Sequence, residues 1–468
     1  MAAVEGRFVG LSRAVRGWRV SAVELVEACL RRIDAARDLN AVVALREEGA
    51  LADARALDER IGRGEDGGTL AGLPLLVKDI EDAAGMPTTF GSLLHRDAEP
   101  AARDGVAASR LRGAGAILVG KTNVPEFAFE GYTANRLFGA TRNPWAPDWS
   151  PGGSSGGSAA AVSAGLAPIA TATDVGGSIR IPAAACGLVG FKPTAGLIGR
   201  DPILATPDFN NHGPLATTVA DVRLLLEVLS GPVPGDPGAL PRWRRGPTRR
   251  PLRILAAPRF VVGRPLPHSV SERFEAALRA VESDLGLPVE PVEPAAIFPS
   301  GYDVEDWFRV VATEQAHELG RETIEGAADL LDPTFLGSMR AALEMPLDDY
   351  VGARRRRFRY TRELDALLGD DAILLTPTLT VEGWSADGRL PGRGDPGLPS
   401  WVFNTEIQNF TGHPAVSLPA GRHPNGVRFG LQATAPRLGE DLLFWLAEGW
   451  EAARPWPLVA GGFAPFEP

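Results

Sequence analysis

Two glycine-glycine-serine turns, Gly152-Gly153-Ser154 and Gly176-Gly177-Ser178, flank one stretch that reads as a single helix followed by a single strand. The first turn runs through Ser155-Gly156-Gly157-Ser158 into a small-residue helix at about 157–165, and the strand occupies 168–173. A helix that carries the chain away and a strand that returns it place Ser154 and Ser178 at the same end of a sheet. That end is the crevice where α/β folds put their sites. Glycines let the backbone turn its N–H groups inward, and the segment from Ile179, with Pro182 in its first turn, predicts a further helix. Val175, Gly176, Gly177 and Ser178 then offer backbone N–H donors to an oxygen that gains negative charge, an oxyanion hole in outline. The Gly-Lys-Ser/Thr ending of a nucleotide loop is missing. On spacing alone, Ser154 and Ser155 are equal candidates.

A serine hydroxyl needs a base to become a nucleophile. The six histidines (95, 212, 268, 317, 413, 423) stand singly, none in a glycine-rich turn like those around Ser154 and Ser178. Lysine occurs only at 78, 121 and 192, and the other 45 of the 48 basic residues are arginine. Arginine, with a pKa above about 12, cannot accept a proton, so each lysine is a candidate for work that needs an amine. Lys78 ends the apolar strand Gly72–Val77, where desolvation lowers an amine's pKa towards the range of a general base. Lys121 and Lys192 are expected to make structural hydrogen bonds, Asp174 and Arg180 to support the Ser178 turn, and Cys186 to fill space.

The rest of the chain gives the fold class. Strands at Leu73–Val77, Ala116–Val119, 168–173, Leu252–Ala256, Ala372–Leu375 and Ala415–Leu418 alternate with helices, an α/β pattern. Residues 18–62 read as helices joined by a turn, opened by the capping box Ser21-Ala-Val-Glu24. Residues 132–150 read as loop, 231–250 as an exposed connector, Ser269–Leu285 as a helix and 300–368 as mainly helical. The basic cluster Arg354–Arg357 with Arg359 and Arg362 reads as a solvated helix face. A formal charge of −10 argues against nucleic acid or anionic membrane as partner. No apolar run reaches membrane-span length, and Met1–Gly10 shows no secretory signal. Cys29 and Cys186 supply neither a disulfide framework nor a cysteine zinc cluster, and reduced thiols suit a cytoplasmic protein.

With these residues in view, the sequence resembles the amidase signature hydrolases. The resemblance rests on Gly152-Gly-Ser154-Ser155-Gly-Gly with Asp174-Val-Gly-Gly-Ser178-Ile-Arg180, and on Lys78-Asp79 followed by Gly85-Met-Pro-Thr-Thr-Phe-Gly-Ser92. Further blocks are Ala114–Asn123, Thr141-Arg-Asn-Pro-Trp145, Gly190-Phe-Lys192-Pro-Thr194 and Thr411-Gly-His-Pro-Ala-Val-Ser-Leu-Pro-Ala-Gly421. It is strong over about 60–230 and nearly absent over 300–368.

The resemblance implies an amidase signature fold, a large mixed, mainly parallel twisted sheet covered by helices on both faces. It implies a single domain over 1–468: N-terminal helices (1–65), signature core (66–230), linker (231–252), a variable, largely helical part (253–370) and a C-terminal return to the sheet (371–468). It makes Ser178 the acylated nucleophile, Ser154 the bridging serine held by a cis peptide bond, and Lys78 the terminal base, a Ser/Lys alternative to a histidine triad. Phe127, Phe129 and Tyr132 are placed near the substrate, with the loop Arg200–Phe209 and Trp401–Asn404. Those aromatics favour aryl or bulky apolar amides, and the same acyl chemistry extends to esters and carbamates. Around that loop Asp201, Asp208, Asn210, Asn211 and His212 are polar groups for a leaving amine. The partners implied are a small amide and water, with no metal or cofactor, and a homo-oligomer is left open. A glutamine-hydrolysing amidotransferase component is the alternative. Its typical Asp-Glu-Phe-Ala-Met reads Pro125-Glu-Phe-Ala-Phe129 here, and Asn210 stands where the family often has an acidic residue.

Overall fold

The computed structural model describes residues 6–201, 206, 208–260, 266–389 and 404–467. The run Pro74-Leu-Leu-Val-Lys78 is apolar at consecutive positions, as a strand covered on both faces must be, and every residue in it is buried. It pairs in parallel with Ile117–Thr122 on one side and Ile169–Ala170 on the other. Val42–Leu45 adds an antiparallel edge beyond Ile117–Thr122.

Seven further strands follow one another in space as Leu215–Ala216, Val189–Lys192, Ala415–Arg422, Arg428–Thr434, Ala372–Pro377, Arg253–Ala256 and Val289–Pro291. The two sheets meet where Thr173–Asp174 pairs antiparallel with Asn211–His212, and where Gly213 N–H donates to Ala172 O at 3.2 Å. The second glycine turn leaves the sheet at this joint.

The α/β class and the mixed sheet are those expected, with one refinement. In the seven-stranded sheet only Arg253–Ala256 pairs in parallel, with both of its neighbours, and the other pairings are antiparallel. That sheet is therefore not mainly parallel. For the pair Ala415–Arg422 and Arg428–Thr434 the tight turn at His423-Pro-Asn-Gly426 requires this, because a connection so short can join only antiparallel strands. Residues 18–62 also differ from expectation: helices Ala22–Ala35 and Glu47–Gly62 enclose the strand Val42–Leu45 rather than a plain turn. The consecutive β-branched Val42 and Val43 favour that strand. The capping box is present, with Ser21 N–H donating to Glu24 Oε2 at 2.7 Å and Glu24 N–H to Ser21 Oγ at 3.1 Å.

Alternation along Arg428–Thr434 shows how the sheet is sandwiched. Phe429, Leu431 and Ala433 share a core with Val270 and Phe274 of helix His268–Leu285 and with Leu443 and Ala447 of helix Glu440–Ala453. Gly430 and Gln432 face the opposite way. A Cβ on Gly430 would lie 2.5 Å from Ala184 Cβ, and Gln432 reaches Arg180, both on helix Arg180–Cys186.

Residues 300–368 are mainly helical, with long helices Glu305–Leu319, Pro333–Leu343 and Leu347–Leu368. The arginine cluster of the last is a solvated face only in part: Arg355 and Arg362 are exposed, whereas Arg354, Arg356 and Arg357 are engaged by other segments. Arg354 bridges Asp208 and Glu314 at 2.7 and 2.6 Å, Arg356 holds Asp306 through two bonds, and Arg357 bonds Asp208 and the Phe410 carbonyl. Carboxylates from other segments turn this side of the helix inwards.

Phe191 is fully buried and stacks on Phe444 with ring centroids 4.8 Å apart, joining the sheet to helix Glu440–Ala453. Phe191→Ala is expected to lower unfolding stability by about 3–5 kcal/mol, read from denaturant midpoints.

Candidate active site

Lys78 lies at the end of its strand with no exposed surface. Its Nζ is 2.8 Å from Ser154 Oγ and 2.8 Å from Thr173 Oγ1, and its backbone N–H donates to Thr171 Oγ1 at 2.9 Å. Burial pulls the amine down to about 7, against the opposing pull of the Glu81 and Asp174 carboxylates. Near neutral pH such an amine is often uncharged, and its lone pair can accept a hydroxyl proton.

The serine ambiguity has a geometric answer. Ser154 follows a cis peptide bond from Gly153 and faces the lysine. Ser155 turns away, its Oγ donating to Thr173 O at 3.3 Å, and its N–H donates to Ser178 O at 3.3 Å. This backbone bond sets the two glycine turns side by side. Ser154 is buried, whereas Ser178 is half-buried.

A buried ion pair shapes the second turn. Asp174 and Arg180 are both fully buried, and the guanidinium clasps the carboxylate through Nε to Oδ2 at 3.0 Å and Nη2 to Oδ1 at 2.9 Å. Burial works against the Asp174 charge, but Arg180 outweighs it and holds the carboxyl below its usual range. Arg180 also donates to Gln408, Gln432, Asn409 and the Thr405 carbonyl. Within the turn, Trp307 Nε1 donates to Val175 O at 3.1 Å and Thr405 Oγ1 to Gly176 O at 2.6 Å. Gly177 has φ +129, and a Cβ there would collide with Thr405 Oγ1; one on Gly176 would strike the Trp307 ring. Only glycine fits at either position.

One expected oxyanion donor is already engaged. Gly177 N–H donates to Asp174 Oδ1 at 2.7 Å, so its proton is directed at a carboxylate and not towards a substrate. Gly177 leaves the set, and Val175, Gly176 and Ser178 remain. A trans peptide's carbonyl and N–H point in opposite directions. Trp307, by holding the Val175 carbonyl, therefore turns the Gly176 N–H to the other side.

The aromatic candidates divide. Phe127 stacks on Phe335 at 5.0 Å and Phe129 meets the same ring edge-on at 5.3 Å, so both are bound to helix Pro333–Leu343, though each stays half-buried. Tyr132 meets the first glycine turn through its backbone, since a Cβ on Gly153 would lie 2.5 Å from its carbonyl, while its ring packs with Ile181, Leu379, Val381 and Trp384. Residues 202–205 and 207 of the 200–209 loop, and 401–403 of the 401–404 segment, lie outside the described residues. Asp201 pairs with Arg103 and Asp208 with Arg354 and Arg357, while His212 lies 3.7 Å from Glu81.

Lys121 donates to Glu81 O and Thr88 Oγ1, and Lys192 to Pro193 O at 2.7 Å. Cys29 and Cys186 are free and buried, which pushes both thiols up. Among the described residues no group of three or more His, Cys, Asp or Glu side chains is placed to hold a metal. Thr173, Trp307 and Thr405 carry no signal in the sequence comparable to the glycine turns. A threonine just before the Asp174 turn is the one local hint.

This is equipment for acyl transfer, and comparison with known proteins gives its class. The family profile described as Amidase matches residues 24–444. An acylamidase from Rhodococcus erythropolis is 33% identical over 464 residues, 95% of each chain. A glutamyl-tRNA(Gln) amidotransferase subunit from Mycobacterium tuberculosis (strain ATCC 25177 / H37Ra) is also 33% identical, over 93% of this chain and 94% of its own. A bacterial aryl acylamidase of the amidase signature family superposes with a TM-score of 0.85 at 29% identity, covering 95% of both chains. For 6-aminohexanoate cyclic dimer hydrolase the TM-score is 0.84 at 29% identity, over 96% of this chain and 97% of that one. The chain belongs to the amidase signature family. It is an amidase, acting on the C–N bond of carboxylic amides.

Arg180→Ala strands the Asp174 carboxylate in a buried site. The expected loss is about 3–5 kcal/mol of stability, measured by chemical denaturation, because a buried charge without its partner carries its full desolvation cost.

Proposed function

We propose that Ser178 is the nucleophile, Ser154 the proton bridge and Lys78 the base in hydrolysis of linear carboxylic amides with an aryl or bulky apolar portion. The observation that carries this reading is the fully buried Lys78 amine, 2.8 Å from Ser154 Oγ and pulled down to about 7. Neutral Lys78 takes the Ser154 proton as Ser154 takes that of Ser178, and the Ser178 Oγ forms a bond to the amide carbon. The carbonyl oxygen gains charge, which the N–H groups of Val175, Gly176 and Ser178 receive. The relay returns the proton to the nitrogen, the C–N bond breaks and the amine leaves. Water attacks the acyl-enzyme through the same relay and releases the acid. Esters and carbamates fit the same steps.

The preference for aryl groups rests on the half-buried Phe127 and Phe129, on Tyr132 beside the Gly153 turn, and on the aryl acylamidase likeness. We read residues 1–468 as one catalytic unit and place it in the cytoplasm on the strength of its two unpaired cysteines. No helix of the described residues is long and apolar enough to cross a membrane. A second reading, a glutamine-hydrolysing component of a larger complex, is supported by the equal identity to the amidotransferase relative. The purified single chain separates the two: anilide hydrolysis without glutamine hydrolysis is the expected result, and glutamine hydrolysis that needs a second chain would favour the other.

Lys78→Ala is expected to lower kcat by about 10²–10⁴-fold with the fold intact by circular dichroism. In the parent enzyme, kcat/KM should fall about tenfold per pH unit below a pH near 7, because the protonated amine cannot accept. A fluorophosphonate should label Ser178 in peptide mass spectrometry, and Ser178→Ala should abolish the adduct; labelling that survives in Ser178→Ala removes this serine from the mechanism.

A further inference from the structure

Glu81 follows Lys78 by three residues and is buried, 6% exposed. Neither carboxylate oxygen has a hydrogen-bond partner among the described residues. The group near it is the His212 imidazole, whose Nδ1 lies 3.7 Å from Oε1, an ion-pair separation longer than a hydrogen bond. His212 Nδ1 is likewise without a hydrogen-bond partner among the described residues. The pairing of strands explains why this couple sits beside the base. His212 stands directly opposite Thr173 in an antiparallel pair, so the two side chains share a face. Thr173 Oγ1 is in turn 2.8 Å from Lys78 Nζ.

We propose that Glu81 and His212 form a positioning pair that sets the protonation of the Lys78 amine: the Glu81 carboxylate stabilises the ammonium, and the His212 imidazole, when it carries a proton, cancels that effect. The mechanism above uses neither residue, and the proposal rests on its reading of Lys78 as the base. Burial works against the Glu81 charge, but His212, the Thr171 hydroxyl and Lys78 together outweigh it and hold the carboxyl below its usual range. The ionised state is thus the one that faces the lysine.

The other charges around Lys78 are already neutralised at close range. Asp174, across the second turn, is clasped by Arg180, with Lys192 beyond it. Asp79, next in the chain, pairs with Lys121 at 3.6 Å and accepts from Thr89. Lys121 gives its hydrogen bonds to the Glu81 carbonyl and Thr88, and not to the Glu81 carboxylate. Of the two carboxylates that act on Lys78, Asp174 is clasped by Arg180 and Glu81 faces the His212 imidazole.

The test reads pH dependence, which a merely structural role would leave in place. In Glu81→Gln the acid limb of kcat/KM should move to lower pH by about one unit, giving about tenfold more activity at a pH on that limb. In His212→Gln the unshielded carboxylate should move the limb to higher pH, and the double variant should match Glu81→Gln. Because the chain has three lysines, a ¹³C-lysine-labelled sample gives few signals, and Lys78 is assigned by the signal lost in Lys78→Ala. Its titration should move with the activity. An amine that titrates at the same pH in the parent and Glu81→Gln overturns the proposal, and an unmoved limb in His212→Gln removes His212 from it. An amine that shifts while the activity limb stays fixed upholds the tuning and overturns Lys78 as the base.

Discussion

The ion pair of Asp174 and Arg180 fixes the second glycine turn, and through it the setting of Ser178. Taking two charges out of water costs several kcal/mol per ion unless their remaining donors and acceptors are met. Here they are met from far apart in the chain. Asp174 receives Gly177 N–H, Ile179 N–H and two guanidinium bonds. Arg180 spends its other donors on Thr405, Gln408, Asn409 and Gln432. The end of one strand, the turn, the helix that follows and two C-terminal segments are therefore tied to one pair. The same carboxylate acts on Lys78, so the turn and the buried amine share an electrostatic environment.

The scarcity of lysine takes on meaning once burial is known. All three lysines are fully buried, whereas arginines supply the many surface ion pairs. The two cations tolerate burial differently: a guanidinium keeps its charge and must be matched, as Arg180 is, whereas an ammonium can shed a proton. Lys78 and Lys192 are both pulled down to about 7 by burial. What separates them is the neighbour. Lys192 meets a backbone carbonyl, which has no proton to give, and Lys78 meets a serine hydroxyl.

Much of this was legible in the sequence because it is local. The turns, the intervening helix, now Gly156–Ser163, and the buried strand ending in Lys78 are each set by runs of fewer than ten residues. The choice of Ser154 over Ser155 was not legible from spacing, since adjacent serines differ only in which way the backbone presents them. The loss of Gly177 as an oxyanion donor was hidden for a similar reason: its N–H partner is a side chain whose direction depends on Arg180. Phe127 and Phe129 read as pocket residues, and what stayed hidden was their ring partner Phe335, some two hundred residues on, in a segment where the resemblance is nearly absent. Of the arginine cluster, Arg355 and Arg362 face water as charge on a helix usually does, but the inward turn of Arg354 and Arg356 was hidden because Asp208, Asp306 and Glu314 come from elsewhere.

Those distant partners also give the helical segment a part in the site. Glu305–Leu319 supplies Trp307, whose indole N–H holds the Val175 carbonyl while its ring covers Gly176. Helix Glu406–Thr411 is preceded by Thr405, which holds the next carbonyl. Two successive peptide planes are thus pinned by their carbonyls, one by each segment. A glycine turn left to itself samples many orientations, because glycine loses more conformational freedom on ordering than any other residue. The turn is set when protein outside it takes up its carbonyls. A site drawn from residues 78–178 therefore depends on segments more than a hundred residues downstream for its shape.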